Sequence, residues 1–360
     1  MWPDRRFLDL LGIELPIVQA PMASAVTSEL VIAVSEAGGL GSLACAMMAP
    51  EQARTELGII RQRTSRPINV NFFCHEPPRR DAQREAGWIE RLKPYYAELG
   101  LDPAAQASGP GRTPFDEAMC DVMVEFAPEV VSFHFGLPDR RLAQRLKEAG
   151  SKVIASATSA AEARLLEAEG CDAVIAQGYE AGGHRGMFLT NDIATQAGTM
   201  ALVPQVVDAV GVPVIAAGGI ADGRGIAAAF ALGAAAVQMG TAYLFCPEAK
   251  VSPGHRAALK QADDAATVLT NVFTGRPARG IANRIVREVG PMSPDAPQFP
   301  LAAAGAGPLR AKAEAAGSTD FTPLWSGQAA ALGRALPAGE LTQTLAAEAL
   351  ARLAALHSPG

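Results

Sequence analysis

Eight short apolar runs recur along the chain, separated by helical patterns, and this rhythm leaves few folds open. The runs are Ile17–Pro21, Gly41–Ala44, Ile68–Phe72, Val130–Phe135, Val153–Ala157, Ala173–Gln177, Val214–Ala217 and Ala236–Met239. Most are continuously apolar rather than alternating, as parallel strands covered on both faces require. Helix-like segments lie between them, among them Ser28–Ala37, Arg140–Ala149, Ala160–Glu169 and Met200–Val210, with Gly38, Gly150, Gly170 and Gly211 at their ends. Glycine there suits a helix C-terminal cap. Eight such units predict a (β/α)8 TIM barrel whose site lies on the loops after the strands. A doubly wound sheet is the alternative. Its dinucleotide fingerprint would rest on Gly223 to Ala228, which has no acidic residue at the end of the next strand.

With 360 residues, the chain is longer than a bare barrel of roughly 250. Residues 76–128 and 245–323 break the rhythm and are expected to form a lid or small domain, leaving 1–75, 129–244 and 324–360 for the barrel. The first insertion carries EPPRRD and the Gly/Pro-rich piece Ala107–Pro114, and the second carries PMSPDAPQFP. The tail, with Leu341, Leu345, Leu353 and Leu356, predicts a closing amphipathic helix.

Net charge is −6 and no Lys/Arg-dense patch occurs, which argues against a nucleic-acid partner. The five cysteines show no C-x-x-C spacing, the pattern of reduced thiols in a cytoplasm. The N-terminus has no signal-peptide apolar core. Ile226–Cys246 is uncharged over 21 residues, yet Gln238, Gly240 and Thr241 interrupt it. A surface helix running into a buried strand accounts for it better than a membrane span.

The polar residues gather at strand ends. Gln177–Gly186, reading QGYEAGGHRG, follows the sixth strand and packs four glycines, Glu180, His184 and Arg185 into ten residues. Glycines let backbone lie close to a flat or charged ligand, and histidine transfers protons near neutral pH. Strand seven ends in AAGGIADGRG and strand eight in QMGT. Paired glycines ahead of helices at these two places form the usual barrel phosphate site, where backbone N–H groups and the helix dipole face the anion. The amides of Asn71 and Gln177 match a heterocycle with alternating donor and acceptor edges. Among the histidines, His75, His255 and His357 sit in polar stretches and are expected at the surface. His134 is either a buried structural residue or a substrate contact, and His184 is the candidate for chemistry. No metal-ligand spacing and no G-x-S-x-G elbow occurs.

Together QAPM, VNFF, VSFHFG, QGYEAGGHRG, AAGGIADGRG, QMGTAY and WSGQ resemble class I nitronate monooxygenase, formerly 2-nitropropane dioxygenase, from about Ile13 to Gln328. The resemblance implies non-covalent FMN, no metal, and oxidation of anionic alkyl nitronates such as propionate 3-nitronate by O2 to carbonyl compounds and nitrite. It implies FMN contacts from Ala20, Pro21, Met22, Asn71, Gln177, Gly182, Gly183, Gly218, Gly219, Gln238, Met239, Gly240, Thr241, Trp325, Ser326 and Gln328. His184 would be the active-site histidine. The protein would be a monomer or homodimer. Ala23 and Ser24 stand in a turn suited to glycine. Protonated His184 and Arg185 are expected to draw in the nitronate, with Arg185 pairing Glu180 and serving only to shape the loop as the alternative. A reductase using NAD(P)H on the same flavin barrel is the competing activity.

Overall fold

A computed structural model describes residues 1–104 and 112–357. Part of the Ala107–Pro114 piece and the side chain of His357 lie outside the described residues. Among the described residues eleven strands occur, numbered in chain order. They are β1 (Ile17–Gln19), β2 (Gly41–Ala44), β3 (Ile68–Phe73), β4 (Val130–His134), β5 (Lys152–Ala157), β6 (Ala173–Gln177), β7 (Gly183–His184), β8 (Val214–Ala217), β9 (Ala236–Met239), β10 (Thr267–Thr270) and β11 (Ala278–Ile281). Eight of them form one parallel sheet in the order β1-β9-β8-β6-β5-β4-β3-β2. Its two edges meet through a parallel bridge between Val18 and Leu40, where Leu40 N donates to Ile17 O and Gln19 N to Leu40 O. The sheet is thereby a TIM barrel.

The strands form where the continuous apolar runs placed them, because both faces are buried. Ile17, Val70, Val131, Ile154, Val174 and Val237 are at most 1% exposed. The expected helices also form, a residue or so shorter, and Gly38, Gly150 and Gly170 cap them at φ of 94°, 98° and 93°. Gly211 does not cap. The helix Thr199–Val207 ends earlier, and Gly211 N instead donates to Glu167. The Gly223–Ala228 match opens the helix Gly223–Ala231, capped by Asp222. A Cβ at Gly223 would lie 2.4 Å from Glu348 Cβ, so that glycine serves packing of the C-terminal helix Ala338–His357. Ile226–Cys246 divides among the helix Gly223–Ala231, β9 and the helix Thr241–Leu244. Among the described residues no helix is long and apolar enough to cross a membrane.

The two insertions share a second hydrophobic cluster containing Trp88, Leu92, Tyr96, Ile285 and Leu309. Trp88 Nε1 donates to Ala302 O at 3.1 Å and Tyr96 Oη to Gly305 O at 2.7 Å. Beside it β10, β11 and β7 form an antiparallel sheet. Its third strand lies inside the QGYEAGGHRG loop. Pairing of His184 with Ala278 and Gly183 with Arg279 ties that loop to the second insertion.

Candidate active site

A cavity of about 1180 Å³ opens at the C-terminal ends of the barrel strands and runs between them and the second insertion. It exceeds the roughly 300–1,000 Å³ of an ordinary ligand pocket, which leaves room for a cofactor and a substrate together. Ala20, Pro21 and Met22 line it after β1, Asn71 on β3, His134 on β4 and Gln177 on β6. Gly218 and Gly219 line it after β8, and Gln238, Gly240 and Thr241 at and after β9. Gly182, Gly183, His184, Trp325 and Ser326 close one wall. Met239 and Gln328 do not reach the cavity. Met239 is 1% exposed in the barrel core, because strand alternation turns it away from the side that Gln238 takes. Gln328 is held by its backbone, donating to Glu180 O at 3.0 Å.

His184 sits among aromatic rings. Phe299 lies 5.3 Å away between centroids, Trp325 5.5 Å, Phe135 6.0 Å and Phe73 6.1 Å. Its Nε2 is 2.9 Å from Thr274 Oγ1. Burial among these rings, then the charges of Arg112 and Arg276, hold its pKa well below the usual imidazole value. The surroundings of His184 thus favour the neutral ring over the protonated anion anchor that the sequence suggested. Phe135 itself adopts φ 73°, a rare conformation for a bulky residue, with the Arg276 guanidinium 3.9 Å over its ring. Ser24 adopts φ 69° in the cavity-lining turn where glycine was expected.

Arg185 is fully buried and does not line the cavity. It donates to Gly178 O at 2.6 Å, Gln177 O at 2.8 Å and Gln196 Oε1 at 3.0 Å. Glu180 instead accepts from the backbone and hydroxyl of Thr199. Arg185 thus shapes the loop, as expected of its structural role, but it does so through carbonyls and Gln196 and not by pairing with Glu180. Gln177 is engaged in the same loop, with Nε2 donating to His184 O at 3.0 Å and Gly186 N donating to its Oε1 at 2.8 Å. Asn71 Nδ2 donates to Ser132 Oγ at 2.9 Å. His75 and His255 are not surface residues either. His75 is buried against Phe299, with Nε2 2.9 Å from Arg112 O. His255 is half-buried on the cavity wall, with Nε2 3.1 Å from Trp325 O.

A family model described as nitronate monooxygenase matches residues 5–348. The chain belongs to the nitronate monooxygenase family. It is 45% identical over 345 residues to a nitronate monooxygenase of Pseudomonas aeruginosa, covering 95% of this chain and 98% of the relative. A probable nitronate monooxygenase of Staphylococcus aureus is 38% identical, covering 96% and 97%. Among solved structures, a nitroalkane oxidase from Streptomyces ansochromogenes superimposes at TM-score 0.89 with 40% identity over 98% of this chain and 99% of that one. FabK from Thermotoga maritima is more distant, at TM-score 0.72 and 32% identity over 99% of each chain. Nitronate monooxygenases are flavin-dependent oxidoreductases as a family.

The family motifs lie on the barrel, so the residues that the second insertion adds went unseen in the sequence. Thr274, Phe299, Arg310 and the late first-insertion residue Arg112 belong to this group. Arg112 and Arg310 line the cavity. Arg310 is paired with Glu314, whereas no carboxylate among the described residues lies within ion-pair distance of Arg112. Burial and Arg310 lower the Arg112 pKa to about 10, so it stays cationic. The TGRP turn at Thr274–Pro277 was the available signal, a Gly-Pro punctuation carrying an arginine.

Proposed function

We propose that this protein is an FMN-dependent nitronate monooxygenase that oxidises alkyl nitronates with O2 to carbonyl compounds and nitrite. The observation that carries the reading is His184 buried among aromatic rings at the wall of a large cavity, beside two glycine turns of a barrel. Two features support FMN in particular. Gly218 and Gly219, at φ 112° and 70°, and Gly240 bring bare backbone to the cavity after β8 and β9, as a phosphate cradle requires. Gln238 Oε1 is buried with no partner among the described residues, an acceptor suited to a ligand N–H. The helix dipole contributes less than the sequence suggested, because Asp222 already accepts from Arg224 N and Gly225 N. FMN there would supply the redox chemistry, taking electrons from the nitronate and passing them to O2.

The remaining steps belong to the chain. Arg112 offers the unpaired positive charge that an anionic substrate needs, and Phe73, Phe299 and Trp325 exclude water around it. His184 is a weak base, since its conjugate acid is strongly disfavoured. A good general base has a pKa near the working pH, so His184 is poorly matched to stripping a proton from a neutral nitroalkane. A nitronate has already lost that proton, which favours it as the substrate form. The two insertions would act together as the lid domain over this site.

Anaerobic mixing with a nitronate, then separately with NADH, tests the assignment by flavin absorbance. Bleaching by nitronate is expected. Bleaching by NADH alone would overturn the reading in favour of a reductase.

A further inference from the structure

Thr274 follows β10 in the second insertion, and its hydroxyl meets the imidazole of His184. Besides the 2.9 Å contact with His184 Nε2, Thr274 Oγ1 lies 3.5 Å from the carbonyl oxygen of Arg276. Neither side of this contact is free to drift. Gly275 sits at φ 89°, and a Cβ there would lie 2.0 Å from Pro297 O, so the turn is pressed against that backbone. Gly275 N donates to Asn271 O at 2.7 Å, and the Asn271 side chain both donates to and accepts from Ser293. Across the contact, His184 is held by its pairing with β11. Its carbonyl accepts from Gln177 Nε2 and from His134 Nε2.

A neutral imidazole carries one N–H, so its two tautomers turn opposite characters toward the cavity. A carbonyl oxygen only accepts. With the Thr274 proton directed at Arg276 O, Oγ1 presents a lone pair to Nε2. Nε2 then donates, and Nδ1, which has no partner among the described residues, keeps its lone pair.

We propose that Thr274 is a positioning residue that holds His184 as the Nε2–H tautomer, so that Nδ1 meets the substrate as a proton acceptor and not as a donor. Thr274 thereby links the second insertion to the chemistry of the barrel loop. The opposite arrangement, with Thr274 donating to Nε2, would make Nδ1–H a donor toward the nitronate oxygens.

The test is a long-range 15N–1H correlation spectrum of the flavin-loaded protein labelled with 15N-histidine, with His184→Asn used to assign the ring. The wild type should show a protonated Nε2 and a bare Nδ1. Thr274→Val should shift the ring toward a mixture of tautomers or toward Nδ1–H, and Thr274→Ser should restore the wild-type pattern. In the kinetic arm, which rests on the nitronate reading above, Thr274→Val should lower kcat/KM for neutral nitroalkanes by roughly 10-fold or more. That is a share of the ~10²–10⁴-fold worth of a positioned base. An Nδ1–H tautomer in the wild type, or an unchanged ring in Thr274→Val, would overturn the proposal. If neither substrate is turned over, the nitronate reading fails while the tautomer result still decides the role of Thr274.

Discussion

The Nε2–H of His134 donates to the backbone carbonyl of His184 at 3.1 Å. Its Nδ1 accepts from Ser156 Oγ at 2.9 Å. A histidine on β4 thus fixes the height at which the QGYEAGGHRG loop crosses the cavity. Gly186 closes the same contact, since a Cβ there would lie 2.8 Å from His134 Cε1. His134→Phe keeps a ring of similar size but removes one of the two donors to the His184 carbonyl and strands the Ser156 hydroxyl. An unsatisfied buried group costs about 1–3 kcal/mol. A lowered denaturation midpoint together with reduced turnover is expected. Wild-type values for both would show that Gln177 alone holds the loop.

Gln177→Leu should act on the fold before it acts on any ligand. The substitution removes an acceptor from Gly186 N and a donor from His184 O. A loss of about 1–3 kcal/mol for the stranded Gly186 N–H should appear in urea unfolding of the flavin-free protein, since His184 O keeps His134 Nε2 as a donor. If only flavin affinity or potential moves, the amide serves the ligand instead.

Gly219→Asp should eject FMN. A Cβ would sit 3.3 Å from Glu180 Cβ, and φ 70° disfavours any side chain. Gly219→Ala carries that strain without the charge, so the difference between the two isolates repulsion of the phosphate. Purified Gly219→Asp with full flavin occupancy would place the phosphate elsewhere.

His184→Asn should separate the two substrate forms. A neutral ring can accept a proton but is poorly tuned to do so, so what nitroalkane turnover exists should drop by about 10²-fold at most, the low end of what a positioned base contributes. Nitronate turnover should be largely spared. Equal losses on both forms, at equal FMN content, would mean that the ring acts on the nitronate directly.

Stability should fall as pH drops below about 6.5. His134 is depressed to about 3 and His75 to about 4, both chiefly by burial, and His184 is depressed likewise. In the unfolded chain these rings take up protons near pH 6.5, while the folded protein refuses them until far lower pH. The unfolded state therefore binds more protons across roughly pH 4 to 6.5, and stability rises with pH there. A plot of Tm against pH should show this slope, and His134→Phe should flatten it. A flat wild-type profile would mean that these rings are solvated.

The barrel was legible in the chain because its strands are buried on both faces. Runs such as Val130–Phe133 and Ala173–Ala176 announce themselves by apolarity alone, whatever they touch. The glycines of the site were legible for a similar local reason, since a positive φ such as that of Gly218 is a demand one residue must meet by itself. The protonation of His184, the burial of Arg185 and the unpaired charge of Arg112 were not. Each depends on what distant segments bring near. Phe299 and Arg276 make the surroundings of His184 poor in water and rich in positive charge, and the carbonyls of Gln177 and Gly178 claim Arg185. The sequence by itself determined the scaffold and where its loops gather. Only the tertiary structure decided which side chains face the cavity and in what charge state, because desolvation and pairing belong to the packed environment and not to the residue.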